Sequence, residues 1–65
     1  MNKFEAYQSI QNDLIFMMGY HPGLRIGQIL SNFQARAEAL GKDIYYMSDY
    51  ELAKAFTEYK NYLCK

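Results

Sequence analysis

The sequence predicts an all-α fold, a compact bundle of three helices with an extended connector between helices two and three. Three observations carry that reading. Apolar residues recur at spacings of three and four in three separate segments. Gly19 to Gly23, with Pro22 inside it, and Gly41 interrupt the pattern between them. Ser48-Asp-Tyr-Glu51 then places a helix-start signature ahead of the last segment.

Helix one is expected over Asn2 to Met18, with Tyr7, Ile10, Leu14, Met17 and Met18 as its core face. Gly19 is suited to end it in a left-handed conformation, and Pro22 keeps His21 away from helical torsions. Helix two is expected from Leu24 to Leu40, because Ile26, Ile29, Leu30, Phe33, Ala37 and Leu40 share one face. Gly27 within its first turns costs about 1 kcal/mol relative to Ala, which a close helix crossing would offset. Asp43 to Met47 is read as the extended connector, with Ile44, Tyr45 and Tyr46 covering the core. Helix three begins at the Ser48/Glu51 capping box, whose serine hydroxyl and glutamate carboxylate each accept a backbone amide of the other residue. Its apolar face is Leu52, Phe56, Tyr59 and Leu63, flanked by Ala55 and Tyr62.

Length limits what such a bundle achieves alone. A single domain spanning residues 1–65 buries only about 60% of the surface its unfolded chain exposes. One cysteine, Cys64, allows no intrachain disulfide, and there is no Cys/His cluster for a metal. The core therefore depends on packing or on association. A hydrophobic content of 51% with 17% aromatics excludes the polar composition of a disordered chain. Seven Lys/Arg against seven Asp/Glu leave no net charge, which removes the long-range attraction that draws proteins to nucleic acid and argues against such a partner. The first residues do not resemble a secretory leader, and no apolar run approaches the roughly 20 residues that span a bilayer, so a cytoplasmic protein without a membrane partner is expected.

Catalytic chemistry has little to draw on. The single histidine, His21, sits in the Gly/Pro turn without an evident nucleophile beside it, and is read as a solvated or hydrogen-bonded turn residue. Cys64 reads as a frayed terminal thiol. Gly19, Gly23 and Gly27 lack the preceding strand and following Lys-Ser/Thr of a phosphate loop. The expectation is a non-enzymatic protein without cofactor or metal.

Two surface features remain. Arg25, Gln28, Asn32 and Arg36 form a polar stripe along one flank of helix two. In one reading it is internal: Arg25 or Arg36 pairs with Asp13, Asp43 or Asp49, and Gln28 and Asn32 bond neighbouring backbone. In the other it is a recognition surface, since Arg, Gln and Asn make bidentate contacts to bases or peptide groups. The second feature is aromatic: Tyr45, Tyr46, Tyr50, Tyr59 and Tyr62 crowd the last third of the chain, and Tyr50 projects away from the helix-three core face. Phe16 likewise lies opposite the expected core face of helix one. Exposed rings of this kind favour protein interfaces.

The combination of Arg25-x-Gly-Gln-x-Leu-x-Asn32 with Ile44-Tyr-Tyr-x-Ser-Asp-x-Glu-Leu52 resembles small helical proteins of Gram-positive bacteria and their prophages. The resemblance implies a fold more than an activity, and the stretch from Phe33 to Lys42 makes helix two longer than that pattern. The functional expectation is a small protein-interaction module, bacterial or phage-derived, binding a protein partner or itself through Arg25, Gln28, Asn32, Arg36, Tyr46 and Tyr50. The alternative is a helix-turn-helix-like DNA-binding regulator that reads bases with Gln28, Asn32 and Arg36. A small enzyme or ligand carrier with a tyrosine-lined pocket is the third class.

Overall fold

Residue placement by backbone chemistry starts at Asn2, the first of residues 2–65 that a computed structural model of the chain describes. Asn2 is extended, and its side-chain oxygen accepts from the Glu5 amide at 2.8 Å, capping helix α1 over Lys3–Tyr20. Helix α2 covers Ile26–Ala39 and α3 covers Asp49–Leu63, with a single 3-10 turn at Ile44–Tyr46 between them. The architecture is an all-α bundle of three helices, in which α3 packs mainly against α1.

The core draws from all three helices. Met17 of α1, Ile29 and Phe33 of α2, and Phe56 and Tyr59 of α3 form one buried cluster. Phe33 meets the Phe56 ring edge-on with centroids 4.9 Å apart, and Tyr59 tilts against it at 5.7 Å. These rings lie at distances where aromatic pairs add about 0.5–1.5 kcal/mol beyond their buried area. Ile10, Leu14, Leu24, Ile44, Leu52 and Leu63 pack around this cluster, and so does Cys64. Cys64 is thus a half-buried packing residue rather than a frayed one.

The face of α1 differs from the expected one. Ala6, Asp13 and Met17 are buried and Ile10 is half-buried, whereas Tyr7 and Met18 are exposed. The cause is that α1 has apolar residues on two sides, so spacing alone does not choose between them. What decides is α3, which presents the Thr57 hydroxyl to Asp13.

Breaks between helices also depart from the sequence reading. Gly19 stays helical and α1 continues to Tyr20, where the His21 amide bonds the Met17 carbonyl at 2.8 Å and Pro22 enforces the exit. Gly41 is the one described residue at positive φ, at 78°. The Gly41 amide bonds Glu38 and the Lys42 amide bonds Ala37, both at 2.9 Å, which is the Schellman arrangement that glycine permits. A Cβ on Gly27 would meet nothing within 4 Å, so no close helix crossing accounts for that glycine.

The connector is a 3-10 turn and not extended. Asp43 accepts from the Tyr45 amide at 3.0 Å, an Asx-type bond that turns the chain. Ile44 packs on the core, but Tyr45 and Tyr46 stand 83% and 81% exposed and cover nothing. At α3 the Glu51 amide bonds the Ser48 hydroxyl at 3.2 Å as the capping box requires. The reciprocal half differs: the Ser48 hydroxyl donates to the Glu51 carboxylate at 3.0 Å.

Candidate binding surface

Two polar anchors fix how the helices present their surfaces. Asp13, nearly buried on α1, accepts from the Thr57 hydroxyl at 2.6 Å and lies 3.6 Å from Lys60 Nζ. Lys60 also stands 5.2 Å from the centre of the Phe16 ring. At the far end, His21 Nε2 donates to the Leu63 carbonyl at 3.2 Å, and the Tyr20 hydroxyl donates to the Lys65 carbonyl at 2.6 Å. The Gly/Pro turn is thereby tied to the C-terminal end of α3, and His21 is a hydrogen-bonded turn residue.

The α2 stripe divides by role. The Arg25 amide donates to Gln28 Oε1 at 2.8 Å, so Gln28 closes the first turn of α2 in place of a Ser or Asp cap. Arg36 is half-buried and lies over the Tyr62 ring, its Cζ 3.7 Å from the centroid. That contact gives a cation–π interaction instead of the ion pair expected with Asp13, Asp43 or Asp49; Asp13 is taken by Lys60. Arg25 and Asn32 are exposed. Burial raises the Tyr59 pKa above its ordinary value of 10.0, while the nearby Arg36 charge pulls it down.

Tyr46 and Tyr50, the aromatic part of the expected surface, are both exposed but sit in different settings. Tyr46 borders a shallow depression with Lys42, Asp43, Met47 and Glu51. Tyr50 borders another with Ser9, Ala53, Lys54 and Thr57, on the α1 side of α3. The six residues therefore do not converge on one site.

A different set of residues does converge. Ile10, Leu30, Phe33, Ile44, Leu52 and Phe56 line an open groove of about 390 Å³, bordered by the polar side chains of Ser31 and Gln34. It lies where α1, α2, α3 and the 3-10 turn meet. Spacing places Leu30 on the core face of α2, whereas the structure leaves it exposed at the groove edge. A smaller cavity of about 80 Å³ lies beside Arg36, Leu40, Met47 and Tyr59. Among the described residues no helix is long and apolar enough to cross a membrane.

Comparison with protein families, with curated proteins and with solved structures finds no match to this chain.

Proposed function

We propose that the chain is a small non-enzymatic protein-interaction module, bacterial or phage-derived and cytoplasmic, whose partner contributes an apolar side chain or helix face to the groove between α2 and α3. The single observation that carries the reading is that groove: apolar walls from three helices, two polar groups at the rim, and an opening to solvent. Apolar walls with a few polar groups are the composition of sites that take helices or small ligands. Arg25 and Asn32 on the other edge of α2, with Tyr46 and Tyr50, supply further contacts, as side chains enriched or adaptable at interfaces. Gln28 and Arg36 act in this reading by holding α2 in place.

The non-enzymatic reading draws support from His21, the one histidine, whose ring nitrogen is engaged by the Leu63 carbonyl at the turn. Helix-turn-helix DNA binding draws less support. Of its three base-reading residues, Gln28 caps its own helix and Arg36 rests on Tyr62, which leaves Asn32. The test is a pull-down from bacterial lysate with the tagged chain, with and without nuclease, repeated with Leu30→Lys. A protein that survives nuclease and is lost with Leu30→Lys is the expected result. Recovery that depends on nucleic acid, or that ignores the Leu30 change, contradicts it.

A further inference from the structure

Helix α1 carries a second apolar face that the bundle leaves largely uncovered, with only Leu14 at its edge reaching the core cluster. Counting 100° per residue, Phe4, Tyr7, Gln11, Leu14, Ile15 and Met18 fall within an arc of about 100°. Phe4, Tyr7 and Ile15 are 72%, 68% and 61% exposed, and Met18 is exposed as well. No charged side chain lies in that arc: the charges of α1 are Lys3, Glu5 and Asp13, and Asp13 points into the bundle. A helix that is apolar on both sides is the pattern of one buried on both sides.

The arrangement of this face is its own complement. Gln11 stands at the centre, Tyr7 lies four residues before it and Ile15 four after, Phe4 seven before and Met18 seven after. Turning α1 end for end about Gln11 sets Phe4 against Met18, Tyr7 against Ile15, and Gln11 against Gln11. Such self-complementarity is what a two-fold interface demands. The Gln11 amides, each with donors and an acceptor, then bond one another, and a shifted register would bury them against apolar side chains. We propose that two copies of this chain associate through an antiparallel α1–α1 pair centred on Gln11.

Area is consistent with that occupant. Phe and Tyr side chains bury about 150–250 Å² when fully covered, so at their present exposures Phe4, Tyr7, Gln11, Ile15 and Met18 offer roughly 500 Å² per chain. The pair then removes about 1,000 Å², which reaches the lower edge of specific interfaces. With no charge in the seam, nothing of like sign is brought together when identical faces meet. This inference deepens the interaction-module reading by naming a second copy as one partner, and it uses α1 rather than the α2 groove.

The test measures mass by sedimentation equilibrium from micromolar to millimolar chain, then register by cross-linking. The expected result is a species of twice the 7.7 kDa chain mass. Tyr7→Lys and Ile15→Lys, both at exposed positions, are expected to keep wild-type helicity by circular dichroism and to weaken the dimer at least about tenfold. In a Cys64→Ser background, Gln11→Cys should form a covalent dimer on mild oxidation and Phe4→Cys should not, since the two Phe4 positions lie about 20 Å apart at 1.5 Å rise per residue, far beyond disulfide reach. A monomer throughout the range, a dimer indifferent to both lysines, or a Phe4→Cys cross-link as fast as that of Gln11→Cys would overturn the proposal. A monomer would leave the groove reading standing, because Leu30→Lys tests that separately.

Discussion

Asp13 shows how one residue sets the orientation of a helix. A carboxylate at the edge of an apolar core requires partners, and α3 supplies a hydroxyl from Thr57 and an ammonium from Lys60 one turn later. Removing it leaves the Thr57 hydroxyl without its acceptor. Asp13→Ala is therefore expected to cost about 1–3 kcal/mol, read by urea denaturation, with Asp13→Asn recovering part of it through the retained hydrogen bond. Equal stability of Asp13→Ala and the wild type would show that the anchor does not hold α1. Tyr59 gives the pH counterpart. Its folded pKa is raised by burial, so the folded state holds the phenol proton more tightly than the unfolded chain does. The stability this contributes is fully present below the ordinary tyrosine pKa of 10.0 and is lost as pH rises through the folded value. Arg36 opposes the shift, so Arg36→Gln is expected to move the Tyr59 titration to higher pH by ultraviolet difference spectroscopy.

At the scale of the element, α2 was the most legible helix and α1 the least. The buried residues of α2, Ile29, Phe33 and Ala37, all belong to the face predicted from spacing. Ile26, Leu30 and Leu40 from the same face remain exposed because the bundle has only two other helices to cover it. In α1 the apolar residues lie on two sides and the spacing rule has no means of ranking them. The groove was not legible at all, since it is built by Ile10, Leu30, Ile44 and Leu52 from four elements, and sequence spacing describes one element at a time. The tyrosines of the connector show the same limit: Asp43 turns the backbone and leaves both rings in solvent. Gly27 yields an element-scale prediction. It is helical with open space where a Cβ would sit, so Gly27→Ala is expected to raise stability by about 0.5 kcal/mol through reduced freedom of the unfolded chain. A fall in the thermal midpoint of Gly27→Ala would mean that the position serves a contact made only with a partner.

For the whole molecule, 65 residues without a disulfide leave little stability in reserve. The three-helix class followed from periodicity and breakers, and the structure has it. Function is far less legible, because the polar stripe of α2 is partly engaged within the molecule, by the α2 cap and the Tyr62 ring. The surfaces left over are apolar: the groove and the outer face of α1. Both are unfavourable in water, and covering them on association lowers the free energy, which stabilises the folded chain by mass action. The most direct measurement is the thermal midpoint, followed by circular dichroism as a function of chain concentration. A midpoint that rises with concentration in the wild type and is flat in Ile15→Lys is expected. A midpoint independent of concentration in the wild type would contradict the claim that this fold is completed by a second copy of itself.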